Sequence, residues 1–350
     1  LSRSTDCGTT WSTPVRVSSA SDRINQGATI AIDPRDGTVY VAWRRFAATT
    51  GGGTDGFVVA RSVNQGRQFS APGMARAFTR GKGLKKGLDP TRYFEHRRLK
   101  FTGGSSPTAE LAEFDQATDV EAVMFRTNTY PTMTVDGTGR VYLAWTERGL
   151  ASGPEVDDAR ILISTSTNGH SWTTPVKAAE DGQLGHQFMP SLVFGGGRLV
   201  LVYYDMREDV SGQFTNFIDD RTAIGAANRR HTMDLRASVA TPGATPVFQP
   251  SVRVSDYLMG VRRFGGQLVE HQLQLNPPNL PMFKQGTAPF MGDYVDVTVA
   301  PAFVPTAGGG WRFNTDGPLP VFHAVWTDNR DVVKPTVDAD GDGNPWNDYT

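Results

Sequence analysis

Arg45, Arg148, Arg207 and Arg330 each stand just past an aromatic, strand-like run, in "VAWRRF", "LAWTERG", "VYYDMRED" and "VWTDNRD". Carboxylates lie alongside most of them: Glu147, Asp205, Glu208 and Asp328. A planar guanidinium takes a carboxylate or phosphate through paired, charge-assisted hydrogen bonds, so a convergent set of arginines fits the holding of an anionic group. The same recurrence fits salt bridges repeated along a rim, each worth little by itself. A second pattern, "DADGDGNPWND", sets Asp338, Asp340 and Asp342 alternately ahead of Gly343, as at the start of a calcium loop. Position twelve is Tyr349 where such loops carry Glu, with Asp348 beside it. The expectation is a structural Ca2+ on the three aspartates; the competing reading is an acidic tail. His186, His231, His271 and His323 have no metal-ligand spacing and read as structural histidines. There is no nucleotide-binding loop, zinc spacing or serine-hydrolase elbow.

The whole chain bounds the partners. Its 350 residues carry a formal charge of −1, so no overall field recruits nucleic acid or an anionic membrane. No apolar run reaches the roughly 18 residues of a membrane span. Residues 76–100 hold nine Lys/Arg against Asp89 and Glu95 and read as a solvated insertion, with an anionic glycan or phosphate as the alternative partner. The single cysteine, Cys7, forms no internal disulfide and leaves the compartment open. The chain opens without Met or a signal peptide, and its first residues already lie inside a motif. A fragment is therefore expected, with any targeting segment elsewhere.

The elements that must position these side chains are repeated. Three inner hairpins read "TIAIDPRDGTVYVAW" (29–43), "TMTVDGTGRVYLAW" (132–145) and "SLVFGGGRLVLVYYD" (191–205), and a fourth with a longer middle runs from Val295 to Asp328. Each is a β-branched and aromatic run, a Gly/Asp turn, and a second such run. Third strands follow at 56–62, 159–166 and 232–241. A turn motif, "STDCGTTW" at 4–11, returns as "SVNQGRQF" (Ser62, Asn64, Gly66, Phe69) and "TSTNGHSW" (Thr165, Thr167, Gly169, Trp172). Its hydroxyl and carboxylate fit bonds to the backbone of a tight turn, and its glycine supplies the unusual dihedral. Four antiparallel strands repeated radially describe a β-propeller blade. If each first strand is innermost, the turn motifs share the bottom face. The long excursions 44–55, 73–130, 147–158, 206–231 and 253–292 then gather on top, where function is expected.

The turn "S-x-D-x-G-x-x-W" resembles the Asp box of the bacterial sialidase-like (Asp-box/BNR-repeat) β-propeller family, faithfully at 4–11 and in degraded form at the other two sites. The resemblance implies an all-β, six-bladed propeller of four-stranded antiparallel blades, of which this chain would be a fragment. Residues 1–350 would form one domain with top-face insertions at about 73–130 and 253–292. It further implies a secreted or cell-surface bacterial glycoside hydrolase acting on sialic acid or related acidic sugars of glycoconjugates, with no required cofactor. The family uses a tyrosine nucleophile activated by a glutamate, an aspartate acid/base, and three arginines on the sugar carboxylate. On that map Tyr294 in "MGDYVDV" is the nucleophile, with Tyr130 in "NTYPTM" its rival. Asp55 is the acid, with Asp157 and Asp158 as rivals, and Glu208 completes the catalytic set. Arg45, Arg126, Arg148, Arg207 and Arg330 are the carboxylate holders. The family's "F-R-I-P" signature is absent: "FRTNTYP", around Arg126, has its proline displaced. That departure supports the alternative, a non-catalytic propeller binding glycan or protein at the bacterial surface. Oligomeric state is open.

Overall fold

The structure is a computed structural model that describes residues 1–20, 24–46, 54–78, 93–96, 123–126, 130–147, 158–179, 185–208, 233–264, 266–272, 274, 276, 294–317 and 320–331. It is all-β. The first sheet runs in the order β1 (Ile24–Ile32), β2 (Val39–Phe46), β3 (Gly56–Ser62), β4 (Gly73–Ala77). A separate pair follows, β5 (Tyr93–His96) with β6 (Val123–Arg126). The second sheet comprises β7 (Thr132–Val135), β8 (Val141–Glu147), β9 (Arg160–Ser166) and β10 (Val176–Lys177) in consecutive order. The third comprises β11 (Gln187–Gly195), β12 (Arg198–Asp205), β13 (Asp234–Ala240) and β14 (Val252–Arg253). A hairpin then joins β15 (Met259–Phe264) to β16 (Gln267–Gln272). The last sheet pairs β17 (Val295–Ala300) with β20 (Val321–Trp326), and β18 (Phe303–Pro305) with β19 (Trp311–Phe313) forms a hairpin between them in sequence. All pairings within these sheets are antiparallel.

These are the four-stranded sheets of a β-propeller, and their side chains explain the stacking. In β8 every residue is buried, because successive side chains enter opposite interfaces. Leu143 and Trp145 face the first sheet, packing with Ala31, Tyr40, Ala42, Phe57 and Val59. Tyr142 and Ala144 face the third sheet, packing with Leu192, Leu199, Leu201 and Tyr203. Val200 and Val202 continue the series against Val297, Phe322 and Ala324 of the last sheet. A strand covered on both sides reads as a continuous apolar run, which is why "VYLAW" and "LVLVYY" scarcely alternate. Hydroxyl rungs link the inner strands as well. Leu192 N donates to Thr132 Oγ1 at 3.0 Å, Phe194 N to Thr134 Oγ1 at 3.1 Å, and Val297 N to Ser191 Oγ at 3.1 Å.

Among the described residues the sheets do not close a ring. Ile24, Ile30 and Ile32 on β1 and Val321 and Val325 on β20 are exposed, each set on the face of its sheet away from the stack. The described residues therefore hold three full sheets and the inner pair of a fourth. No helix of the described residues is long and apolar enough to cross a membrane. The two expected insertions are described only at 73–78, 93–96, 123–126 and 130, and at 253–264, 266–272, 274 and 276.

Strand register fixes the two ends. Ser62 lies opposite Val39, which also pairs with Ile32, so the 62–69 turn shares an end with the 33–38 turn. Asp205 pairs with both Gln187 and Asp234 at the other end of the third sheet. The first three-residue stretch, Leu1–Arg3, is bonded to Ser12–Val15 and lies against Gly66, placing the 4–11 turn beside the 62–69 turn. Tyr294, Arg207 and Arg330 thus lie at the end opposite these turns.

The first two turns share one bonding scheme. Ser4 Oγ accepts from Gly8 N and donates to Asp6 Oδ1, and Asp6 Oδ1 accepts from Thr10 N. Ser62, Asn64, Gly66 and Gln68 repeat it. The third copy corrects the expected register. Its polar residues are Ser166 and Asn168, with Gly169 N donating to Ser166 Oγ at 2.8 Å, and Thr165 and Thr167 do not take these roles. This turn has one residue fewer between amide and glycine. The missing position is the one that Cys7 and Gln65 occupy at φ 55 and 60.

The bonds from Thr10, first through its hydroxyl and then its backbone, and from Ser4 hold the Asp6 carboxyl at about 2, below its ordinary 3.8. A depressed carboxyl favours the folded turn above its unfolded value and loses that contribution as pH falls through its folded one. We therefore expect the 4–11 turn to hold at pH 5 and loosen between about pH 4 and pH 2, with Asp6→Asn abolishing the pH dependence. Carboxyl carbon chemical shifts followed through an acid titration check this; an Asp6 midpoint near 3.8 would contradict it.

Candidate functional site

The inner strands β1, β7, β11 and β17 line a common space. Its upper part is a cavity of ≈ 520 Å³ whose described lining runs from Gln26 to Thr29, Tyr130 to Thr132, Met189 to Ser191 and Tyr294 to Asp296. Below it lies a second cavity of ≈ 430 Å³ toward the turn end. Thr29, Thr132, Ser191 and Asp296 line both and mark the waist. They are one column of the repeat. Each pairs with the residue just before the large aromatic of its second strand: Ala42, Ala144, Val202 and Val325. Three hydroxyls and one carboxylate therefore ring the axis. Asp296 Oδ1 accepts from the Ser191 hydroxyl at 2.9 Å and from Val297 N at 2.8 Å.

Two tyrosines stand above the waist, at corresponding places just ahead of β17 and β7. Tyr294 is 80% exposed. Tyr130 packs on Gly27, where a Cβ would lie 2.1 Å from Tyr130 Cγ, and its hydroxyl donates to Gln26 Oε1 at 3.4 Å. Gly27 has φ 60 and sits in an irregularity of β1 between Gln26 and Thr29; β11 has its counterpart at Met189, φ 51, between Phe188 and Ser191. Such bulges re-aim inner-strand side chains beside a cavity.

The residues expected to do chemistry are mostly placed elsewhere. Tyr294 and its rival Tyr130 line the cavity. Asp55 does not: it is buried 3.8 Å from the Arg44 guanidinium, which lies over the rings of Phe46, Phe57 and Phe78 at 4.9, 5.7 and 4.2 Å. Burial of a guanidinium among three rings demands a carboxylate nearby, which gives Asp55 a structural task. Asp158 accepts from Gly185 N at 2.8 Å and lies 4.0 Å from buried Arg160. Glu208 is drawn toward Arg236 and Arg253, at 3.4 and 3.8 Å. Neither Asp55 nor Glu208 is brought to Tyr294.

The arginines are committed in the same way. Arg207 is forked by Asp205 two residues before it, Nε to Oδ1 at 2.9 Å and Nη2 to Oδ2 at 2.6 Å. The Arg330 guanidinium meets Asp328 through Nε alone, to Oδ2 at 2.5 Å, donates from Nη1 to the Asp256 carbonyl, and lies 5.6 Å over the Tyr257 ring. Arg45 donates to the Thr54 carbonyl through Nε and Nη2 at 3.3 and 2.9 Å. Among the described residues no arginine lines the cavity. Arg126 is placed by its backbone in β6, opposite Tyr93; its side chain, Arg148, Asp157 and His231 lie outside the described residues. So do Asp338, Asp340 and Asp342, and among the described residues no group of three or more His, Cys, Asp or Glu could hold a metal. His186 is buried and its Nδ1 accepts from Ala159 N at 3.0 Å, as a neutral structural ring does.

The waist residues Thr29, Thr132, Ser191 and Asp296 were missed because none looks reactive alone. Aligning the four inner hairpins on their aromatics would have shown the column.

No protein-family model matches the sequence, and no curated protein matches it. Solved structures with a similar course of the chain include a GH93 alpha-L-arabinofuranosidase of Fusarium graminearum in complex with arabinobiose (14% identity, TM-score 0.34, 88% of this chain and 69% of that one). A Hadza microbial sialidase gives 12% identity and a TM-score of 0.35 over 79% of this chain, which spans 50% of the sialidase. An N-acetylgalactosamine deacetylase from F. plautii in complex with blood group B trisaccharide gives 11% and 0.34, over 92% and 80% of the two chains.

Proposed function

We propose that this propeller is glycan-active and takes a sugar into the upper axial cavity. The observation that carries the reading is the exposed ring of Tyr294 at a cavity shared with Tyr130 and floored by hydroxyls and the Asp296 carboxylate. Sugars present apolar ring faces and a fringe of hydroxyls, and a site with aromatic walls and a few placed polar groups matches both. Binding without chemistry is the reading that the described residues favour, because Asp55 and Glu208 serve other partners. Arg207 is likewise forked by Asp205, and Arg330 is held by Asp328 through Nε.

A second reading, sialidase-like hydrolysis of an acidic sugar, is favoured by the exposure of the Tyr294 ring. A neutral nucleophile suits an anionic substrate. In that reading Tyr294 attacks, Asp55 or a rival protonates the leaving group, Glu208 serves as base, and Arg45, Arg126, Arg148, Arg207 and Arg330 supply the carboxylate holders. Localisation at the bacterial surface or outside the cell, and a Ca2+ on Asp338, Asp340 and Asp342, belong to the same proposal.

The test is to assay the chain and Tyr294→Phe on a fluorogenic sialoside and a neutral glycoside, beside immobilised glycans. Binding retained by both proteins with turnover in neither supports the binding reading. Turnover in the parent that falls at least 100-fold in Tyr294→Phe supports hydrolysis and displaces it. A folded protein that neither binds nor cleaves any glycan removes both.

A further inference from the structure

Resting on the reading of the cavity as a glycan site, we infer that the sugar it accepts is uncharged. The charges around the cavity point one way. Among the described residues around the cavity one side chain is charged, the Asp296 carboxylate at the waist. The same carboxylate is also the one charged group among the described residues lining the space below. It is held toward the axis by the Ser191 hydroxyl and by Val297 N, both donating to Oδ1. A ligand carboxylate entering from above approaches a like charge on an exposed side chain, a repulsion that is strongest at low salt and is screened as salt rises.

Nothing described offsets this. Of the arginines nearest in the repeat, Arg207 forks Asp205 through Nε and Nη2, and Arg330 meets Asp328 through Nε and its backbone N; each guanidinium is neutralised by its carboxylate and presents little net charge to an incoming anion. Rearranging the Arg207 fork strands a carboxylate: Asp205 is 1% exposed, and Gln187 Nε2 also donates to it at 3.4 Å. An uncharged sugar meets no such conflict. Its hydroxyls donate to a carboxylate and exchange hydrogen bonds with Thr29 and Thr132, while its ring face lies on tyrosine. Selection works here by a repulsive element set against the wrong ligand.

The experiment uses the whole chain on an array pairing uncharged oligosaccharides with versions carrying sialic or uronic acid, at low and high salt, with Asp296→Asn and Tyr294→Ala in parallel. Asp296→Asn keeps Oδ1 as acceptor for Ser191 and Val297, so the fold is preserved. The expected result is binding of uncharged glycans at least 10-fold tighter than of their carboxylated partners. Asp296→Asn should narrow that ratio by about 10-fold, a change of about 1.4 kcal/mol in discrimination, and Tyr294→Ala should lose the binding. Equal or tighter binding of the carboxylated members, weakening as salt rises, overturns the inference while leaving a glycan site in place. Absence of any glycan binding by folded protein overturns the inference together with the reading beneath it.

Discussion

Trp145→Ala should lower the unfolding free energy by about 3–5 kcal/mol, the usual cost of removing a large buried aromatic. Trp145 has no exposed surface, sits between the first and second sheets, and has the Phe57 ring 5.7 Å away. Its indole Nε1 also donates to Glu147 Oε2 at 3.0 Å. Arg76 still holds that carboxylate through Nε at 3.0 Å and Nη2 at 2.5 Å, so the loss is mainly one of packing. In a domain of this size each kcal/mol moves the melting temperature by roughly 2–4 °C, so a fall on the order of 10 °C is expected. Trp311→Ala, at 73% exposure, is the control and should change little. Paired denaturation curves decide; equal effects of the two substitutions would mean that the sheets do not stack on Trp145.

Gly27→Val should be the most damaging change at the cavity. The residue has φ 60, a conformation that costs an L-side chain roughly 1–2 kcal/mol by itself. A Cβ there would also lie 2.1, 2.2 and 2.5 Å from Tyr130 Cγ, Cδ1 and Cβ, so the tyrosine must leave its place. Overpacking adds about 1–3 kcal/mol. Gly37→Val separates the two causes, since Gly37 has φ 74 and nothing within 4 Å of an added Cβ. The expected outcome is a midpoint loss at residue 27 about twice that at residue 37, accompanied by loss of glycan binding in the first variant alone. Matching losses with binding intact would show that Tyr130 does not depend on this glycine.

Much of the fold is legible because its signals are local. The four inner hairpins announce themselves by β-branched runs flanking Gly/Asp turns, and the bonded turns by a hydroxyl, an amide or carboxylate, and a glycine. The third turn was misregistered because matching a fixed spacing selects Thr165 and Thr167, whereas the hydrogen bonds choose Ser166 and Asn168 once one left-handed residue is dropped. The Asp-x-Arg pairs are half legible: sequence brings Asp205 to Arg207 and Asp328 to Arg330, and rim pairing is one of the two readings. What could not be read was Asp55 on Arg44, because that contact depends on a cross-strand register that sets Arg44 opposite Phe57. The waist column was hidden for the converse reason. Its members share a position in space, but three common hydroxyl residues and one aspartate form no motif along the chain.

Stacked sheets that touch only their neighbours behave as a one-dimensional array, in which each unit's stability is its own plus a coupling to either side. The second and third sheets enjoy two couplings, and β8 and β9 are buried at every residue. Among the described residues the first and last sheets have one coupling each, but the first has four strands and the last only its inner pair, and β20 alternates exposed and half-buried along its length. Opening should therefore begin at β17 and β20 and travel inward. Tyr294 stands directly ahead of β17, so the mouth of the cavity is built on the most easily loosened unit. A ligand seated there would tie the fraying end to the rigid middle, and its grip would be felt as slowed opening of the whole array.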